Sequence, residues 1–211
     1  MTTCIDTLDI AMRARHAPGV HDKVRAATVG IAGLGGLGSN IAAMLARLGV
    51  GKLVIADFDI VDPSNLNRQN YFVSHIGMEK SVATKDLLAQ INPYTKVVAH
   101  ATRITATNAK KLFSKCSIIC EAFDDPTQKA MLVNAVLTQM PNVKLVAASG
   151  MAGLGSANKI TTRRAMKNLY ICGDSDTEAI PENGIMSPRV TLCASHQASM
   201  VLRLLLGEDE P

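Results

Sequence analysis

A chain of 211 residues, of which 47% are hydrophobic and 19% are charged, is long enough to bury a sizeable core as one domain. Its formal net charge of +4 is spread along the chain and only 3% of its residues are aromatic, so neither charge nor stacking side chains indicate a nucleic-acid partner. The sequence shows neither the features of a signal peptide nor a run of about 18 uncharged apolar residues, so we expect a cytoplasmic protein without membrane contact.

In chain order, residues 1–25 predict a short helical arm, and residues 26–150 predict a core of alternating strands and helices. The predicted strands cover 27–33, 52–58, 96–101, 117–123 and 143–150, and the predicted helices cover 39–49, 79–93 and 125–140. This alternation requires crossover connections. We therefore expect an α/β fold of the Rossmann-like, doubly wound type, with a mostly parallel sheet covered on both faces.

The pattern loosens over residues 151–211, which we expect to form a C-terminal extension of the same domain. Residues 158–172 predict one or two strands, residues 173–187 predict a polar loop, and the remainder predicts a helix through Leu206. Ser187 is a candidate N-cap of this helix, and Pro188 is a candidate first helical residue.

Five glycines crowd the junction between the first strand and the first helix of the core, from Gly30 to Gly38. Gly33, Gly35 and Gly38 match G-x-G-x-x-G, in which the backbone turns tightly and approaches a phosphate at a helix N-terminus. A tight turn without a ligand would explain the glycines alone. Asp57 ends the second predicted strand, where a carboxylate can accept hydrogen bonds from a ribose, so the combination predicts nucleotide binding.

The residues after Asp57 favour a nucleoside triphosphate over a dinucleotide. Asn65, Arg68 and Gln69 fall in one turn-rich segment, and Lys80 opens the next helix. Donors and cations beside a ribose site suit phosphates that must be neutralised for attack at phosphorus, whereas hydride transfer needs no such cluster. An NAD-dependent dehydrogenase is the alternative, although the chain has no evident Tyr-Lys or His-Asp arrangement for that chemistry.

The stretches GLGGLGS, DFDIVDPSNLNRQ, GMEK, INP and EAFDD follow one another in the order and spacing of a known family. The chain resembles, over nearly its whole length, the short ThiF branch of the ubiquitin-activating enzyme superfamily. The resemblance implies use of ATP and Mg²⁺ to adenylate the C-terminal glycine of the sulfur carrier protein ThiS, with release of pyrophosphate, in thiamine thiazole synthesis. Another carrier of the MoaD type, a modified transfer-RNA base and a nucleotide-binding scaffold without catalysis are the alternatives.

The resemblance also implies roles for particular residues. Arg68 and Lys80 would neutralise the phosphates, Asp57 would hold the ribose, and Asp124 would coordinate magnesium, with Asp125 as the alternative metal ligand. The implied nucleotide-binding set is Gly33, Gly35, Gly36, Gly38, Asp57, Asp59, Asn65, Arg68, Gln69 and Lys80. Plainer explanations exist: Asn65 could stabilise a turn, either cation could be solvated, and either aspartate could cap the helix that starts at Pro126.

The implied partners are a second copy of the chain, the carrier and a sulfur-donor protein. Family members are usually homodimers in which an arginine of one arm reaches the triphosphate of the other subunit, so Arg13 and Arg15 are catalytic candidates, with a plain surface charge as the alternative. The loop 173–187 could cross over the extended Gly-Gly tail of ThiS, and an ordinary disordered connection is the alternative. Longer relatives hold zinc through two CxxC pairs, which this chain lacks, so we expect no zinc.

Four further features favour a structural interpretation over a functional one. Cys172 lies at the edge of the loop, where some relatives carry a reactive cysteine, but the sequence places nothing beside it that would activate a thiol. We interpret the glycine-rich stretch 150–158 as a site of close backbone packing or as a lining of the carrier site. A solvated basic face explains Arg163, Arg164 and Lys167. His196 is interpreted as a hydrogen-bonded interior or interface residue.

Overall fold

The computed structural model describes residues 5–177 and 179–211. Within these ranges the strands are β1 (Thr28–Ala32), β2 (Lys52–Asp57), β3 (Lys96–Ala101), β4 (Ile118–Glu121), β5 (Lys144–Ala148), β6 (Thr161–Met166) and β7 (Leu169–Gly173). The helices are α1 (Ile5–Arg13), α2 (Val20–Ala26), α3 (Gly36–Arg47), α4 (Lys80–Ile91), α5 (Ala109–Leu112), α6 (Pro126–Gln139) and α7 (Ser187–Leu206). Short 3-10 helices cover Pro63–Asn67, Val73–His75 and Ala157–Lys159.

The strands form one sheet in the order β3-β2-β1-β4-β5-β7-β6. Neighbouring strands are parallel except for β6 and β7, which form an antiparallel pair at one edge. Because β1 lies between β2 and β4, the connections diverge there and a crevice opens at the carboxyl ends of the strands. The prediction of a Rossmann-like, doubly wound α/β fold is confirmed, and the extension adds two strands to the same sheet.

Each face of the sheet packs against its own group of helices. Val29 and Ile31 of β1 face a core shared with α3, α4 and α7, whereas Ala32 faces a second core shared with α5 and α6. Burial on both faces explains why the central strands are almost continuously apolar. A Cβ on Gly30 would lie 2.7 Å from the buried Phe113 ring, so a larger residue at this position of the strand would displace that ring.

The start of the final helix differs from its prediction. Ser187 is the first residue of α7, and the N-cap is Met186, whose extended backbone leads into the helix without a side-chain hydrogen bond. The prediction that Ser187 caps this helix is therefore wrong, although a proline does occupy the first turn. The helix ends at Leu206 and is followed by Gly207, whose φ of 94° is in the left-handed region that glycine adopts readily.

The amino-terminal arm consists of α1 and α2, and α2 packs against α7. The side chains of Asp9 and Arg25 approach to 4.0 Å within this arm. Among the helices that the structure describes, none combines the length and the apolar character needed to cross a membrane.

Candidate functional site

A cleft of about 670 Å³ opens at the carboxyl ends of the central strands. One part of its lining comes from the turn after β1, the end of β2 and the segment that leads to α4, and another part comes from the residues after β4 and β5. Thr177, Ala179, Ile180 and Ile185 of the loop 173–187 also line it. The cleft therefore lies at the reversal of strand order, where open α/β sheets bind their ligands.

The glycine-rich turn is shaped by two close backbone approaches. Gly33 has a φ of 90°, and a Cβ on it would lie 2.9 Å from the carbonyl oxygen of Ala122. A Cβ on Gly38 would lie 1.9 Å from the carbonyl oxygen of Gly33, so Gly38 lets α3 start directly against the turn. Gly33, Gly35 and Gly36 line the cleft, and Gly38 serves the packing behind it.

Asp57 fixes the relation between β2 and this turn. It is 8% exposed and lines the cleft, and its carboxylate accepts hydrogen bonds from the backbone N–H groups of Leu34 at 2.6 Å and Asp59 at 2.8 Å. Burial raises the pKa of Asp57, while those two N–H groups and the charge of Lys80 act in the opposite direction. The carboxylate is thus held rigidly at the site where a ribose hydroxyl could donate to it.

Two cations, Lys80 and Arg68, line the same cleft as Asp57. The buried Lys80 pairs with the half-exposed Asp59, with 3.0 Å between Nζ and the carboxylate oxygen. Arg68 lines the cleft and donates from one terminal nitrogen to the side chain of Asn67 at 2.8 Å and to the carbonyl of Ser64 at 3.3 Å. Among the described residues Arg68 has no carboxylate partner, so most of its guanidinium donors are available to an anion.

Gln69 and Asn65 follow different paths in the segment that leads to α4. Gln69 is 8% exposed, lines the cleft, and has a side-chain oxygen without a hydrogen-bond partner among the described residues. Asn65 does not line the cleft: its side-chain oxygen accepts from the backbone N–H of Asp62 at 3.1 Å and closes the start of the 3-10 helix Pro63–Asn67. The structure brings Gln69 into the site and places Asn65 behind it, where it supports the turn.

The two aspartates after β4 have separate positions. Asp125 is the N-cap of α6 and accepts from the backbone N–H groups of Thr127 at 2.7 Å and Gln128 at 3.0 Å. The hydrogen bond that the Thr127 hydroxyl donates to the carboxylate, together with those two N–H groups, lowers the pKa of Asp125. Asp124 lines the cleft, is exposed, and has no hydrogen-bond or ion-pair partner among the described residues. Capping is therefore the task of Asp125, and Asp124 is available to a ligand.

This division predicts different costs for two adjacent alanine substitutions. Asp125→Ala removes the cap and is expected to lower the free energy of unfolding by about 1 kcal/mol. Asp124→Ala removes no contact and should change it by less than about 0.5 kcal/mol. Urea denaturation of the two variants measures the difference, and equal destabilisation would contradict the assignment.

Several other sequence candidates lie outside the cleft. Arg13, at the end of α1, and Arg15, between α1 and α2, are exposed and do not line the cleft within this chain. Cys172 is fully buried on β7, and burial raises the pKa of its thiol to about 11, which favours an inert role. His196 shares a hydrogen bond of 2.9 Å with Thr162, in agreement with the structural interpretation.

Sequence reasoning missed a buried ion pair beside the cleft. Glu121, at the end of β4, is fully buried, and its two oxygens lie 3.0 and 3.1 Å from Nζ of Lys129. Glu121 also accepts from the N–H of Phe123 at 2.7 Å, and Lys129 donates to the carbonyl of Ala148 at 3.1 Å. Burial raises the pKa of Glu121, and Lys129 is the strongest opposing influence. The only feature of the sequence that could have indicated this ion pair is the charged Glu121 at the end of an apolar strand.

Sequence reasoning also missed a second ion pair, which joins α7 to the start of the loop 173–187 in the C-terminal extension. Arg189 of α7 is 5% exposed and lies 2.5 Å from the carboxylate of Asp174. Burial opposes ionisation of Asp174, but hydrogen bonds from Thr177 and Asp176 and the charge of Arg189 lower its pKa to about 2. The glycine-rich stretch 150–158 packs here, because a Cβ on Gly150 would lie 2.1 Å from the Asp174 carboxylate.

The sheet order and the position of the cleft define an α/β protein of the Rossmann-like class with its site at the switch point. The model of the ThiF family matches residues 9–211, and the chain belongs to that family.

Named relatives show the same likeness. The sulfur carrier protein ThiS adenylyltransferase of Escherichia coli (strain K12) is 32% identical over 186 residues, which cover 86% of this chain and 73% of the relative. The adenylyltransferase and sulfurtransferase UBA4 of Saccharomyces cerevisiae (strain YJM789) is 29% identical over 192 residues. That match covers 88% of this chain but only 43% of the yeast protein, so the chain spans less than half the length of that relative.

Solved structures share the fold. The E. coli tRNA N6-threonylcarbamoyladenosine dehydratase TcdA in complex with AMP superposes with a TM-score of 0.83 at 19% identity, covering 94% of this chain and 93% of the other. E. coli MccB with succinimide gives a TM-score of 0.69 at 23% identity, covering 91% of this chain and 60% of the other.

Proposed function

We propose that this protein adenylates the C-terminal glycine carboxylate of a ubiquitin-like sulfur carrier protein, with ThiS as the carrier, for thiamine thiazole synthesis. The observation that carries the proposal is that one cleft collects a buried carboxylate, two cations and an unpartnered carboxylate: Asp57, Arg68, Lys80 and Asp124. Family membership and the adenylyltransferase relatives support the same reaction.

The proposed reaction is a displacement at the α-phosphorus of ATP. An oxygen of the carrier carboxylate forms a bond to that phosphorus, the bond to the bridging oxygen of the β-phosphate breaks, and pyrophosphate leaves with the electron pair. Both reactants are anionic, so the site must supply positive charge and in-line positioning rather than a general base. In our proposal Asp57 and the glycine turn hold the nucleoside, Gln69 helps to hold the nucleotide, and Arg68 and Lys80 neutralise the phosphates.

The residues of the cleft fit a magnesium ion that accompanies the nucleotide. The described residues contain no group of three or more His, Cys, Asp or Glu side chains placed to hold a metal. Mg²⁺ bound with a nucleotide typically uses one or two carboxylates and completes its coordination with phosphate oxygens and water. Asp124 is the unengaged carboxylate of the cleft and would hold the ion, which supplies further neutralisation of phosphate charge when bound.

We also propose that the protein forms a homodimer in which the amino-terminal arm of one subunit supplies an arginine to the cleft of the other. Arg13 and Arg15 lie outside the cleft of their own chain, so either one would act only by reaching the cleft of a second copy. The loop 173–187 would cover the Gly-Gly tail of the carrier. A sulfur-donor protein would act on the acyl-adenylate afterwards.

Pyrophosphate exchange tests the proposed function. The purified protein is incubated with Mg·ATP, labelled pyrophosphate and each of several candidates, namely ThiS, a MoaD-like carrier and tRNA containing threonylcarbamoyladenosine. Exchange that depends on ThiS is the expected result. Exchange only with another substrate would transfer the assignment to that substrate, and no exchange with any of them, together with tight NAD binding, would overturn the proposal in favour of a dehydrogenase.

A further inference from the structure

Arg189 ties three separate segments of the extension together. From the first turn of α7 its guanidinium donates to the carbonyl of Ala152 at 3.1 Å, and one terminal nitrogen donates to the carbonyls of Gly155 at 2.6 Å and Ser156 at 2.9 Å. Its other terminal nitrogen meets Asp174 at 2.5 Å. A planar group with donors in a fixed fork is needed to bind three carbonyls and a carboxylate at once, and an ammonium group cannot reproduce that geometry.

Asp174 extends the same network into the loop 173–187. One carboxylate oxygen accepts from the N–H groups of Asp176 at 3.0 Å and Thr177 at 2.9 Å, and the hydroxyl of Thr177 donates to both oxygens at 3.0 and 2.8 Å. The N–H of Asp174 itself donates to the carbonyl of Gly150 at 2.9 Å. The start of the loop is therefore fixed to the turn after β5, and Arg189 fixes both to α7.

The segments joined by this clamp, which we define as Arg189 with Asp174, form one wall of the cleft. The residues of these segments that line it include Gly150, Met151, Ala152, Thr177 and Val190. They are small, apolar or uncharged, in contrast to the charged residues on the segment 57–80. Neither clamp residue makes a hydrogen bond or ion pair with Asp57, Arg68 or Lys80.

We infer that Arg189 and Asp174 are positioning residues for the carboxylate substrate. They hold the uncharged wall against which the peptide that carries the carboxylate lies, and they leave nucleotide binding to Asp57, Arg68 and Lys80. This inference rests on the proposed function. A wall of backbone and small side chains suits an extended, glycine-ended peptide, because such a peptide offers backbone groups and little else for recognition.

Two conservative variants test the clamp in the full-length protein. Asp174→Asn keeps the size of the side chain but removes its charge. Arg189→Lys keeps the positive charge but removes the planar guanidinium group with its several donors. Arg203→Lys is the matched control, since Arg203 lies in the last turn of the same helix and its side chain is 41% exposed. Steady-state exchange gives KM for the carrier and KM for ATP separately, and hydrogen exchange of the amides of Asp176 and Thr177 reports the loop directly.

Both clamp variants are expected to raise KM for the carrier by about tenfold or more, with KM for ATP within about twofold of the wild type. Faster amide exchange at Asp176 and Thr177 should accompany this change, and Arg203→Lys should show neither effect. Equal changes in both KM values would indicate general loss of structure and overturn the inference, as would unchanged carrier KM or unchanged amide exchange. A wild-type protein inactive with every carrier would instead overturn the proposed function, and the inference with it.

Discussion

Replacing Lys80 by methionine is expected to lower carrier-dependent pyrophosphate exchange by about 10²–10³-fold, the usual effect of removing one group that stabilises charge in a transition state. Lys80 is 6% exposed, so its charge is weakly screened, and it lies in the cleft with Asp57 and Arg68. Its only ion-pair partner among the described residues is Asp59, whose side chain is 48% exposed and can be solvated when the lysine is absent. The free energy of unfolding should therefore change much less than the activity.

Lys85→Met is the matched control for this substitution. Lys85 lies on the same helix, α4, is exposed, and does not line the cleft. Exchange rates at saturating ATP and carrier should fall only for the Lys80 variant, and urea denaturation should show that both variants are folded. Wild-type activity of Lys80→Met, or an equal loss in both variants, would contradict the role given to Lys80.

Replacing Lys129 by methionine is expected to have the largest effect on stability, a loss of about 3–5 kcal/mol in the free energy of unfolding near pH 8. The side chain of Glu121 is 1% exposed, and removal of Lys129 would leave its carboxylate buried without a counter-charge. The double variant Glu121→Gln/Lys129→Met removes the charge as well, so it should recover most of the loss.

The same variant has a defined pH dependence. Burial already raises the pKa of Glu121 above its ordinary value of 4.5, and loss of Lys129 removes the strongest opposing influence. In Lys129→Met the folded state therefore binds the proton more tightly than the unfolded state does, and stability falls as the pH rises through the folded-state pKa. Urea denaturation at about pH 5.5 and at about pH 8 should show a smaller loss of stability, relative to the wild type, at the lower pH. A deficit that is constant, or that grows on acidification, would contradict the assignment.

The fold was predictable because its signals are local. Apolar runs and helical periodicity located the strands and helices of the core, and parallel pairing follows from their alternation. The extension was less predictable, since β7 is placed in the sheet by parallel pairing with β5 rather than by its own pattern. Ser187 shows the limit at helix ends: a favourable capping residue became the first helical residue, because the backbone of Met186 already provides the extended entry.

Some residues of the candidate site were likewise predictable from the sequence, and others were not. Gly33, Asp57 and Lys80 follow directly from motifs at the ends of predicted elements, and all three line the cleft. The pairs Glu121–Lys129 and Arg189–Asp174 were missed, because each depends on tertiary packing between residues that no sequence spacing relates. The cap geometry, which the sequence does not show, assigns the N-terminus of α6 to Asp125, and the role of Asp124 as the metal ligand stays a proposal.

A crystal structure with Mg²⁺ and a non-hydrolysable ATP analogue tests the central claim most directly, that this cleft holds a nucleoside triphosphate for attack at phosphorus. We expect the ribose to donate to Asp57 and the phosphates to lie within hydrogen-bond distance of Arg68 and Lys80, with the metal on Asp124. A structure in which those two cations point to solvent and no phosphate lies near either of them would contradict the claim.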